Sequence, residues 1–144
     1  MATTTLKAII DRFQAICEGA TLDLQATQVP FSHDREPNAT LDSAYYLHDG
    51  GLSESKPGTN DLEFRLDTLT VWLTRRLAFA GQTQAETLET TMTTLERLIL
   101  ADGPANNYHA HVTGRAGPAR AGESERLVAG LTFAVDYDFS TAVV

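Results

Sequence analysis

The amino-acid sequence predicts an α+β fold: an antiparallel β-sheet packed with two α-helices, in the order α-β-β-α-β-β. Three observations predict it. Residues 3–18 and 84–101 carry apolar side chains at helical spacing, and each amphipathic face needs a surface to cover. Residues 40–48, 108–113 and 127–137 alternate with period two, as half-buried strands do. The run 62–79 is the most apolar stretch of its length and lies near the middle of the chain. No repeat and no linker divides residues 1–144, which read as one domain.

In the first helix Leu6, Ile9, Ile10, Phe13, Ile16 and Cys17 form the stripe, with Thr3 to Thr5 as capping candidates and Gly19 as a stop. Residues 21–41 contain Pro30, Pro37 and a charged run, and read mostly as loop with a short extended piece around 22–29. The next strand, 40–48, places Leu41, Tyr45 and Leu47 on one face. Residues 49–60 hold three glycines and a proline, a composition that reads as a turn or long loop between antiparallel strands.

The central run fits two templates. As a helix, Leu62, Leu66, Leu69, Leu73 and Leu77 align; as a strand, Leu62, Phe64 and Leu66 share one face, as do Leu69, Val71, Leu73, Leu77 and Phe79. Threonine, valine and tryptophan between residues 68 and 74 favour the strand. The change of phase between Leu66 and Leu69 then implies a bulge or break. A short connection at 81–83 leads to the second helix, 84–101, with Leu88, Met92, Leu95, Leu98 and Ile99 as its stripe and Gly103–Pro104 as its stop. Residues 114–126 hold three glycines, a proline and three arginines and read as a mobile hairpin loop.

Composition excludes several classes. A net charge of −8 opposes general binding to nucleic-acid phosphates. No apolar run reaches the roughly 18–20 residues that span a bilayer, so no membrane is expected. The start, M-A-T-T-T-L-K, lacks a basic region followed by an apolar core, and one cysteine permits no internal disulfide; a cytoplasmic compartment is the natural expectation.

Chemical motifs are sparse. His109 and His111 share a strand side and could begin a metal site, but no third ligand lies nearby in sequence. Asp136 and Asp138 share a strand face without a neighbouring base or nucleophile, and Cys17 falls on an apolar stripe, where an inert thiol is expected. Neither phosphate-binding glycine pattern occurs, so no cofactor and no catalytic residue is predicted. Trp72 reads as core. Arg75 and Arg76 read equally as an exposed strand end or a subunit contact, and Lys56, Arg115, Arg120 and Arg126 lie in the two glycine-rich stretches expected to make contacts.

Four stretches together are similar to a known group. T-L-K-A-I-I-D-R-F-Q-A-I forms the first helix and F-R-L-D-T-L-T-V-W-L a threonine-rich central strand. A-E-T-L-E-T-T-M-T-T-L-E-R-L-I-L forms the second helix, and L-V-A-G-L-T-F-A-V-D-Y a late strand. In element order the chain resembles the tail terminator proteins of long-tailed bacteriophages, the family of minor tail protein U. The resemblance implies a virion protein without catalytic residues, assembled in the host cytoplasm. It would form a homohexameric ring that caps the tail tube, contacts the tube protein and the head–tail connector, and lets DNA pass through an acidic lumen. A neighbouring neck protein of similar fold is one alternative; a small α+β enzyme or ligand-binding domain is another.

Overall fold

The structure, a computed structural model, describes residues 2–27, 30–32, 43–76, 81–120 and 126–142, with the side chains of 81–83 excepted. It is an α+β arrangement of two helices on one face of a five-stranded mixed sheet. The elements are α1 (Leu6–Glu18), β1 (Gln25–Ala26), β2 (Ser43–Pro57), β3 (Leu62–Arg76), α2 (Gly81–Asp102), a 3-10 turn at Pro104–Asn106, β4 (His109–Arg120) and β5 (Arg126–Ser140). The sheet order is β1-β2-β3-β5-β4.

The expected order lacked β1. This two-residue strand lies in the piece read as briefly extended, and it pairs parallel with Ala44 and Tyr45 of β2, which makes the sheet mixed. The β2–β3, β3–β5 and β4–β5 pairings are antiparallel.

Helix α1 starts one turn later than its pattern implied because Thr5 caps it, its hydroxyl accepting from the Ala8 amide at 3.1 Å. Its stripe buries Ile9, Phe13 and Cys17 against the sheet, and α2 adds Leu88, Met92, Leu95 and Ile99 to the same face. From the sheet come Leu69, Val71 and Leu73 of β3, and Ala129, Leu131, Phe133, Val135 and Tyr137 of β5. Phe13 meets the Phe133 ring edge-on at 5.5 Å between centroids and Tyr108 at 5.9 Å. The expected connection at 81–83 is instead the first turn of α2.

Both glycine-rich stretches prove to be strand. β2 continues to Pro57 and β4 to Arg120, so of the two expected loops only 58–61 is a turn, and 121–125 lies outside the described residues. The glycines serve bulges. In β2 the register shifts between Asp49 and Gly51, where Gly51 takes φ +91° and donates its amide to the Asp49 carboxylate at 2.8 Å. In β4 it shifts between Val112 and Gly114 and again between Ala116 and Ala119, around Gly117 at φ +70°. Asn60 and Asp61, consecutive residues at positive φ, close the β2–β3 hairpin in the manner of a primed turn.

The bulge expected in the central strand is absent. β3 pairs with β5 without a shift from Leu62↔Ser140 to Arg76↔Arg126. The apolar residues change face while the strand keeps its pleat: Leu69, Val71 and Leu73 point toward the helices, whereas Leu62, Phe64 and Leu66 lie on the opposite face. The expected continuation through Leu77 and Phe79, like Leu41 and the charged run 33–36, lies outside the described residues.

Candidate functional site

Both helices dock on one face, and among the described residues the other face of the sheet is covered only in part. Phe31 packs there against Val128, with Tyr46 and Trp72 around it. Trp72, expected in the main core, belongs to this second, smaller cluster and is half-buried. Its indole lies flat across Gly130: a Cβ added there would sit 2.7 Å from two ring atoms. The row beside it is hydroxylated, with Thr70 and Thr132 paired at 3.0 Å and Ser53 and Thr68 at 2.9 Å.

Toward the β2–β3 hairpin this face changes character. Leu62, Phe64 and Leu66 form a strip along β3 on the face away from α1 and α2; Leu62 is 38% exposed, and Phe64 and Leu66 are half-buried. Asp138 stands opposite Phe64 and Asp136 opposite Leu66 on β5; Lys56 and Glu54 stand opposite the same two residues on β2. His109 follows on β4, opposite Asp136, so the two histidines and two aspartates share one face, as their alternation predicts. Among the described residues no group of three or more His, Cys, Asp or Glu could hold a metal ion.

The register separates charge along the strands. In the half of the sheet bearing the hairpin, Asp49, Glu54, Glu63, Asp67, Asp136 and Asp138 outnumber Lys56 and Arg65. Past the Thr70–Thr132 row the described strand residues include Arg75, Arg76, Arg115, Arg120 and Arg126 and no carboxylate.

The residues singled out by sequence therefore fall into three places. Arg75, Arg76, Arg120 and Arg126 gather at one end of the sheet, Arg76 opposite Arg126 and both Arg75 and Arg120 opposite Leu127. Arg75 is half-buried there and binds inward, donating to Ser43 at 2.9 Å and to Gln84 of α2. Arg126 is 6% exposed, whereas Arg76 and Arg120 are exposed. Arg115 crosses to α2 and pairs with Glu89 at 2.7 Å. Lys56 is at the opposite end, on the hairpin.

Three buried tyrosine–carboxylate pairs escaped the sequence reading. Tyr45 donates to Glu18 at 2.9 Å, Tyr108 to Asp102 at 2.9 Å and Tyr137 to Asp67 at 2.7 Å. Burial, and next the hydrogen bond to a carboxylate, raises each phenol above its ordinary range. Burial likewise pushes the Cys17 thiol up to about 12, with Glu18 adding to the shift, in keeping with an inert cysteine. The only signal for these pairs was tyrosine on an apolar strand face, which does not name the carboxylate.

A cleft of about 290 Å³ lies between α2 and the end of α1, lined by Leu22 and by threonines including Thr21, Thr87 and Thr91. Thr90 and Thr91 turn their hydroxyls back to the carbonyls of Glu86 and Thr87. Among the described residues no helix is long and apolar enough to cross a membrane. No family model matches the chain, and no curated protein matches its sequence.

Proposed function

We propose that this protein is a structural assembly protein of the phage tail terminator kind, forming a ring at the end of a tail tube and joining it to the head. The observation that carries this reading is the one-sided sheet. Two helices cover one face, while the other presents an apolar strip and a long hairpin to its surroundings. Leu62 is exposed and Phe64 and Leu66 are half-buried on the face away from the helices, and apolar side chains left partly open in a row support a contact surface. The resemblance of the two helices, the central strand and the late strand to the tail terminator proteins supports the same reading by analogy of fold. The acidic balance of −8 suits a wall past which DNA slides, since like charge discourages phosphates from adhering.

In this account the activity is binding. The partners are further copies of the chain, the tube protein and a connector. Electron microscopy of purified tail tubes mixed with the protein tests it: density capping one end of each tube is expected. Bare tube ends at saturating protein would overturn the proposal.

A further inference from the structure

The chain contains two Asp–Gly steps, Asp49–Gly50 and Asp102–Gly103. At such a step the glycine nitrogen can attack the aspartate side chain, because no Cβ shields it. The fold treats the two steps oppositely. The Asp102 carboxylate is bound by Arg12, Tyr108 and Asn106, and its side chain is 11% exposed. The Gly103 amide donates to the Ile99 carbonyl at 3.3 Å, as the last turn of a helix requires.

Asp49 and Gly50 are exposed and lie at the first register shift of β2. Asp49 stands opposite Leu69 and Gly51 opposite Thr68, so the register gives Gly50 no partner residue on β3. On the outer side of β2, β1 pairs only with Ala44 and Tyr45, and among the described residues no strand flanks the bulge there. The Asp49 carboxylate accepts the Gly51 amide at 2.8 Å. The ring that this bond closes contains both Cγ of Asp49 and the Gly50 nitrogen, which holds the two reacting atoms near each other.

We propose that Asp49 is a site of spontaneous isomerisation to isoaspartate, and that the fold shields Asp102 from the same reaction. The Gly50 nitrogen bonds to Cγ of the protonated Asp49 carboxyl group, whose hydroxyl leaves as water with the amide proton, and a cyclic imide closes. Water then adds at the main-chain carbonyl carbon of Asp49, and the bond from that carbon to the Gly50 nitrogen breaks. The main chain now runs through Cγ, and the former main-chain carbonyl is a free carboxylate. The added methylene removes the bond that fixes Gly51 at φ +91°, so β2 beyond the bulge is expected to lose its register with β3.

The folded chain, held at neutral pH and physiological temperature, is treated with an isoaspartyl methyltransferase and a labelled methyl donor, and its peptides are mapped. Label is expected to accumulate on the peptide containing Asp49 and to stay absent from the one containing Asp102. In urea both peptides are expected to take label at similar rates, which assigns the contrast to the fold. Asp49→Glu must close a larger ring and is expected to lose the label at that position, with circular dichroism verifying that the variant is folded. Folded protein in which Asp49 takes label no faster than Asp102, or an Asp49→Glu chain labelled there as readily as the wild type, contradicts the proposal.

Discussion

Tyr137 on β5 donates its hydroxyl to Asp67 on β3 at 2.7 Å, and the carboxylate is only 2% exposed. The two residues sit diagonally across the central strand pair, for Arg65 stands opposite Tyr137 and Asp67 opposite Val135. A charged group this deep is tolerated because it is hydrogen-bonded. Tyr137→Phe leaves it without that donor and is expected to cost about 1–3 kcal/mol. Tyr137→Phe combined with Asp67→Leu is expected to cost less than the sum of the two single changes. Urea unfolding of the four proteins of this double-mutant cycle measures the difference.

Alkaline pH acts on the same group of residues. Tyr45, Tyr108 and Tyr137 have phenols raised in the folded state, and the Cys17 thiol is raised to about 12. A raised folded value means the stabilisation is complete below the unfolded value, about 8.5 for cysteine and about 10 for tyrosine. It is then lost as pH climbs toward the folded value. Urea midpoints are expected to be flat from about pH 7 to 8 and to fall steadily from about 9 to 11. A thiol reagent added to native protein at about pH 8 is expected to label Cys17 only as fast as the chain opens.

Gly130 is required by the flat seat of Trp72. A methyl group there would lie 2.7 Å from two atoms of the indole. Gly130→Ala is expected to destabilise by about 1–3 kcal/mol, as overpacking does, and to shift the emission of the single tryptophan as the ring is displaced. Trp72→Leu in the same chain is expected to recover part of the loss, read from thermal melts.

Asp102 fastens α1 and the 3-10 turn, with Tyr108 just before β4, to the end of α2. It accepts from Arg12 of α1 at 2.5 and 3.2 Å, from Tyr108 at 2.9 Å and from Asn106 of the 3-10 turn at 3.1 Å. Arg12 is 43% exposed, so the ion pair itself contributes modestly in water. The buried Tyr108 hydroxyl matters more. Asp102→Ala is expected to cost about 2–3 kcal/mol through the lost donors, and Arg12→Ala less than about 1, in the same denaturation assay.

Much of this fold was legible in the sequence. The two helical stripes and the six alternating residues from Leu127 to Tyr137 name the main core, because an apolar side chain at the right period has only one favourable place to go. What misled was glycine. Gly50, Gly51, Gly114 and Gly117 read as loop, since composition cannot distinguish a turn from a bulge within a paired strand. The β1–β2 pairing was equally hidden, being two residues long and set by tertiary contact. The phase change at Leu66–Leu69 was visible, but its meaning was not: a bulge would keep the apolar residues on one face, and an unbroken strand divides them between two. That division places the apolar strip of the candidate site on the face away from the helices. The sequence groups Arg75 with Arg76 and Arg115 with Arg120 and Arg126; only the register shows that four of the six candidate cations share one end of the sheet, with Arg115 apart from them.

The most direct test of assembly is the mass of the purified chain in solution, by light scattering from low to high micromolar concentration. The account predicts a species near six times the 15.6 kDa chain. A mass of one chain at every concentration, unchanged by adding tail-tube protein, would contradict it.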